Sequence, residues 1–313
     1  SWTVWRWATP AARALFGGVA AHAVGSLSAP LSSAVGVLLG AAGHAVGWPV
    51  AEGGSRAVTD ALLGVLRGLG GTVETGRRVD ALEQLGAPDV VLLDVSPRAA
   101  LRILGDRLPA RTARAYRRYA YGPAAYKVDL AVRGGVPWSA EACRHAGTVH
   151  LGGTFEELAA AEAAVVRGVL PRRPFVLVAQ QSLADPGRAV GDVHPVWAYA
   201  HVPHGHRGDV TEAVLAQVER FAPGVRERVV GLAVRDVAAL ERHDENYVGG
   251  DIAVGASTPR QLLLRPRAAL DPYATGVPGV YLCSSATPPG AGVHGMCGHG
   301  AATSALRGLG RAA

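Results

Sequence analysis

The chain has 313 residues, 49% hydrophobic and 18% charged, which is enough apolar material for a large core and, at roughly 150 residues per domain, about two domains. Its formal charge of +6 is almost all arginine, with Lys127 the only lysine and no recognisable reader motif, which argues against a nucleic-acid partner. The three cysteines, Cys143, Cys283 and Cys297, form no Cys-x-x-Cys pair and no histidine set has four-ligand spacing, so a disulfide framework, a dithiol centre and a structural metal are all disfavoured, and a reducing cytoplasm fits best.

The opening "SWTVWRWATP" lacks signal-peptide grammar. Residues 14–51 carry no charged side chain, but they are built from Ala, Gly and Ser with Pro30 among them. They predict two short core helices broken near "SLSAP", with peripheral membrane contact as the alternative. In 46–82, Gly53-Gly54 open a helix whose Val58, Leu62, Val65 and Leu69 share one face, and Gly70-Gly71 end it. "TVETGRRVDAL" alternates as a strand, "DVVLLDVS" (89–96) reads as a strand buried on both faces, and Pro97 suits the first turn of the next helix.

The middle reads as a mixed sheet with helices on it. Strands are expected in 125–138, 174–182 and 196–203. Helices are expected over 155–168 and 209–224, the second capped by Asp209 or Thr211. Near the C-terminus, "GVYLCSS" (279–285) is a strand ending in small residues. "TPPGAGVHGMCGHGAATSALRGL" then turns into a helix from about Gly295. Glycines there allow a ligand close to the backbone, and the helix start offers unpaired N–H groups; a tightly packed turn is the bland alternative.

That C-terminal stretch resembles the flavin-binding signature of the phytoene-desaturase-like FAD-dependent oxidoreductases. "GWPVAEGGSRAVTDAL", "YKVDLA", "AGTVHLGGTFEELAAAEAA", "RPFVLVAQQS", "WAYAHVPHG", "ERFAPG" and "NYVGGDI" extend the resemblance. They are most similar to the branch named for pyridine nucleotide-disulfide oxidoreductase domain-containing protein 2 and its bacterial relatives. The resemblance implies an α/β (α+β mixed) fold: an incomplete Rossmann-like FAD/NAD(P)-binding flavin domain interleaved with a mixed-sheet substrate domain and a small helical cap. The expected division is 1–47 as cap, 48–98 with 246–313 as flavin half, and 99–245 as substrate domain.

It also implies FAD as cofactor. Val79 would touch adenine, and Ser284 and Ser285 would lie near the ribityl and pyrophosphate groups. Gly290 and Gly292 would permit close approach, and Val293, His294, Gly295 and Met296 would line the pyrimidine edge. The implied activity is hydride transfer from a small-molecule, apolar substrate to flavin N5, with an unidentified electron acceptor. Lys127 and His294 are the weak catalytic candidates, and Asn246, Tyr247 and Asp251 are expected to line the flavin or substrate side. The family's G-x-G-x-x-G unit is missing, so the sequence reads as a fragment expected to bind FAD weakly or not at all and to be inactive alone. The rival readings are a lipid- or protein-binding scaffold like the GDP-dissociation inhibitors, and a flavin amine oxidase.

Overall fold

The computed structural model describes residues 7–310, which form two compact units. The first takes the chain to Arg77, Tyr126–Val202 and Gly208–Asp236; the second takes Arg78–Ala125, Pro203–Arg207 and Val237 onward. In chain order the elements are α1 Pro10–Ala20, α2 Ser32–Val46, α3 Arg56–Gly68, β1 Val91–Leu93, α4 Pro97–Leu104, α5 Ala110–Arg117, β2 Ala124–Arg133, α6 Glu141–Arg144 and β3 Thr148–Leu151. There follow α7 Phe155–Val166, β4 Val176–Ala179, β5 Val193–Val202, α8 Thr211–Phe221, α9 Val225–Arg228, β6 Val229–Arg235, α10 Val237–His243, α11 Pro259–Leu264, β7 Val280–Leu282 and α12 Met296–Gly308. The architecture is mixed α/β.

In the first unit a five-stranded sheet runs in the order β3-β4-β5-β2-β6, with antiparallel pairing at β3–β4, β4–β5 and β2–β6. Helix α7 starts on a capping box: Thr154 Oγ1 accepts from the Glu157 amide while Glu157 Oε2 accepts from the Thr154 amide. It buries Leu158, Ala161, Glu162 and Val165. Helix α1 begins at Thr9-Pro10, with the Thr9 hydroxyl accepting from the Ala12 amide. Gly17 and Gly18 let α1 lie close to its neighbours. A Cβ at 17 would sit 2.8 Å from the Phe155 ring, and one at 18 would sit 3.0 Å from His150 Cβ.

Several expectations are corrected here. Helices α1 and α2 appear where the uncharged run predicts two, but α2 is not a core helix: among its residues only Ser32 and Gly36 are buried, while Val37, Leu38 and Val46 face out. Gly36 packs against Ala20 and Phe16, so the smallest residue, not the largest apolar ones, makes the contact. Helix α3 forms with the predicted bounds, yet it has no buried residue, and Leu62 and Leu69 are 66% and 82% exposed. Residues 72–82 form no strand: Gly76 turns with φ +72, and no described strand supplies a ladder for them. Residues 48–77 lie in the first unit and 99–125 in the second, whereas the expected division grouped 48–98 with 246–313 and kept 99–245 together. Strands β3 and β6 lie outside the segments picked out as strands.

The second unit is centred on β1 and β7, which pair in parallel in the register Val91–Val280, Leu92–Tyr281 and Leu93–Leu282. Pro97 takes the first helical position of α4, and Ser96 caps it by accepting from the Ala99 amide. Ile103, Leu104, Leu108, Tyr116 and Tyr119 pack with Val254, Val280 and Leu282 into one core.

The first unit buries unusual polar groups. Glu162 and His201, each 1% exposed, meet at 2.9 Å between Oε2 and Nδ1, leaving Glu162 Oε1 and His201 Nε2 buried without partners. Nearby, His22 Nε2 and His150 Nε2 share one hydrogen bond of 3.0 Å, which requires at least one lone pair. Burial, then the neighbouring His22 and His201, holds His150 at about 4 instead of 6.5, and His22 is lowered as well. The folded state therefore prefers neutral rings, and stability present above pH ~6.5 is lost as pH falls toward the His150 value. That loss amounts to on the order of 3 kcal/mol for His150. Urea unfolding at a series of pH values checks this: the wild type weakens over that window, and His150→Gln flattens the profile.

Candidate functional site

The site built from the C-terminal segment lies wholly within the second unit. Its foundation is the strand pair: the Val91 amide donates to Gly279 O at 2.8 Å and the Cys283 amide to Leu93 O at 2.9 Å. Beyond the pair, the Ser284 hydroxyl donates to Val95 O at 2.7 Å, and Ser284 O accepts from both the amide and hydroxyl of Thr287. Ser284 is 2% exposed and its hydroxyl is spent on the strand end, whereas Ser285 is half-buried.

The turn is then shaped from below by Arg265, a residue the sequence did not single out. It is 3% exposed and donates from Nη1 to Ser285 O and from Nε to Gln261 O. Gly290, at φ +110, lies directly against it, since a Cβ there would fall 2.7 Å from Arg265 Nη1. The signal was a lone charge inside "LLLRP", an apolar run ending at proline. From Ala291 to Met296 the chain is exposed, with Val293 standing fully in solvent.

Gly295 caps α12 in the left-handed region at φ +64, and nothing lies within 4 Å of the position its Cβ would take. His294 Nδ1 accepts from the Met296 amide at 3.0 Å, so the neutral ring carries its proton on Nε2. The Met296 donor is thereby occupied. The next two amides, Cys297 and Gly298, make no hydrogen bond to a described residue and stand at the positive end of a 13-residue helix. The Cys297 thiol points the other way, donating weakly toward Thr287 O and Gly290 O. Cys283 is pushed up to about 12 by burial and by Asp94, so it holds no thiolate near neutral pH.

The remaining predicted residues divide clearly. Asn246 clamps the strand end: its Oδ1 accepts from the Ser96 amide at 2.7 Å and its Nδ2 donates to Asp94 O at 3.1 Å. Asp251 is fully buried and accepts three backbone amides, Gly122 and Gly255 at 2.7 Å and Ala253 at 2.9 Å. Burial raises its pKa, partly offset by those donors. Tyr247 packs against the core beside them. These three hold loops together. Val79 is half-buried in an irregular segment beside Arg78, which is paired with Asp80 and Glu245. Lys127 belongs to the first unit, on β2, where it is ion-paired to Asp129 and stands 6.0 Å from the Trp197 ring centre.

Gly290→Ala displaces a buried guanidinium and forces a side chain into positive φ, so it should cost about 2–3 kcal/mol of stability. Gly295→Asn enters open space with a residue that tolerates the left-handed region and should cost less than about 1 kcal/mol. Denaturant unfolding of both variants gives the comparison.

No protein-family model matches the chain. Over 156 residues, 46% of its length, it is 31% identical to pyridine nucleotide-disulfide oxidoreductase domain-containing protein 2 of Rattus norvegicus and 30% identical to the Mus musculus protein of that name. The chain spans 27% of the length of these curated relatives. Its fold is shared with an oxidoreductase from Methanosarcina mazei, with a TM-score of 0.55 at 14% identity over 95% of this chain and 65% of that one.

Proposed function

We propose that the chain is part of an FAD-dependent oxidoreductase of the dehydrogenase or desaturase type, phytoene-desaturase-like, with the C-terminal turn holding the flavin edge. The observation that carries this reading is the pair of unbonded amides at Cys297 and Gly298, facing an exposed glycine turn at the start of α12. The likeness to the rodent proteins supports it.

The residues present suit such a group. The open space at Gly295 leaves room for a planar ring against the backbone, and the two amides supply donors to a carbonyl edge. Bound FAD would supply hydride acceptance at N5, with negative charge growing at its N1 and C2 carbonyl. The Cys297 and Gly298 amides and the helix dipole would be placed to stabilise that charge without reorganising. His294 acts on the loop: by accepting the Met296 amide it holds the turn in register with α12. Ser284 contributes by fixing the strand end, and Ser285 is the hydroxyl left for the ribityl or pyrophosphate side. Val79 remains the proposed adenine contact. Lys127, already ion-paired, is not used. An apolar substrate is part of the reading, supported by a cleft of about 300 Å³ in the first unit whose wall includes Leu15, Leu158 and Phe175.

The test is FAD binding followed by quenching of flavin fluorescence. The wild-type chain should bind weakly, at FAD concentrations well above those of an intact flavoprotein, and Gly295→Asn should weaken binding by about a further tenfold or more, because the new side chain stands where the ring edge must come, with little change in melting temperature. Thr303→Val, farther along α12, is the matched control; Ser304 is unsuitable because its hydroxyl is bonded to Asp271. Equal affinity in the wild type and Gly295→Asn would leave the turn a packing feature only.

A further inference from the structure

The second unit contains a cleft whose electrostatics are unbalanced. Helix α5 and its C-cap residue Arg118 place Arg111, Arg114 and Arg118 at i, i+3 and i+7, along one stripe. Like charges at that spacing repel, and the first turn of α5 holds no acidic residue to offset Arg111 at the positive end of the helix dipole. Arg260 and Arg267 line the same cleft. The cavity measures about 380 Å³ and is lined by five arginines and no acidic residue.

Elsewhere in the unit Arg98 pairs with Glu241, Arg102 with Glu245 and Arg107 with Glu83. None of the five cleft arginines makes an ion pair with a described residue. Arg267 adds a second sign. Its Nη2 donates to Ala274 O at 2.7 Å, but its Nε is buried with no hydrogen-bond partner, a donor withdrawn from water and left without an acceptor. Between the charges, Ala115, Leu264 and Pro266 give the cleft an apolar wall.

We propose that this cleft is a binding site for a small organic molecule carrying a pyrophosphate or equivalent diphosphate group. Guanidinium forks match phosphate oxygens in bidentate geometry, and five of them exceed what one phosphate neutralises. The volume suits a nucleoside-diphosphate-sized ligand, with its organic part on Leu264 and Pro266 and its phosphates on α5 and Arg267. The cleft shares the 258–268 segment with the Arg265 support of the glycine turn, but its lining includes neither that turn nor the Cys297 and Gly298 amides, and the proposal does not rest on the flavin reading.

Calorimetric titration with inorganic pyrophosphate and with ADP at low salt tests this, with adenosine as the uncharged control. One saturable site should take either anion in competition, ignore adenosine and weaken as sodium chloride is raised. The Arg114→Gln/Arg118→Gln double variant should lose about tenfold or more in affinity. Its melting temperature without ligand should hold or rise, because repulsion along α5 is relieved. Arg67→Gln on α3 should bind as the wild type does. Sedimentation with phosphatidylcholine vesicles, with and without phosphatidylglycerol, separates the sources. If only the anionic vesicles carry the protein down, depending on Arg114 and Arg118 and reversed by pyrophosphate, the phosphate arrives as a lipid headgroup; binding of free pyrophosphate without sedimentation identifies a soluble ligand. Absence of saturable binding to either anion, or equal affinity in the wild type and the double variant, overturns the proposal.

Discussion

The parallel pairing of Val91–Leu93 with Val280–Leu282 is the contact on which the second unit rests. Each strand is only three residues long, and nearly the whole of the first unit's sheet is threaded into the chain between them. Loop-closure entropy grows only logarithmically with such an insertion, so the pair can hold if its residues are well buried. One face is: Leu93 is 6%, Val280 4% and Leu282 0% exposed, whereas Leu92 is 42% exposed, so β1 is buried on one face and not, as its apolar run suggests, on both; the Ser284 hydroxyl and the Asn246 amide extend the pairing past the strand ends. The glycine turn, the Arg265 support and α12 all follow from where β7 stops. If the pair separated, the turn would lose its fixed start and the amides at Cys297 and Gly298 their direction.

The first unit depends on a different economy. Its sheet is covered by apolar helices, but the layer includes a buried Glu162–His201 pair and the His22–His150 contact. Such groups add little net stability compared with an apolar replacement, and the His22–His150 contact makes the packing sensitive to protonation. Phe175 sits between them, 5.8 Å from the His150 ring and 4.9 Å from the His201 ring, so apolar and polar contacts share one patch of sheet. By contrast α3, with its large apolar face in solvent, contributes no buried residue to the unit.

Charge is also unevenly used. The excess of arginine gives the chain its +6, yet much of the second unit's surface is neutralised locally, as where Arg78 and Arg102 share Asp80 and Glu245. The arginines of the cleft differ from these in making no ion pair with a described residue while lying side by side. Sequence alone does not set them apart from the chain's other arginines, because the spacing at 111, 114 and 118 meets Arg260 and Arg267 only once α5 and the 258–268 segment are folded together.

Local signals in the sequence were sufficient for many elements. Thr154 with Glu157 started α7, Pro97 after Ser96 started α4, the apolar run at 89–96 contained β1, and the small residues after β7 marked the turn before α12. Each of these is decided by neighbours a few residues away, through caps, proline geometry or glycine at positive φ, so composition and spacing determine them. Pairing partners and exposure are not local. Residues 72–82 alternate like a strand but find no ladder, and Val58, Leu62, Val65 and Leu69 form the predicted stripe but meet no core. Asp251 and Asn246 are expected on the flavin or substrate side only through the family resemblance; in the folded chain they serve as acceptors and donors for distant backbone. Arg265 under Gly290 went unread for the same reason. Periodicity and turn chemistry belong to the sequence alone, whereas which donor meets which acceptor, and which apolar face is covered, is settled only when segments more than a hundred residues apart come together.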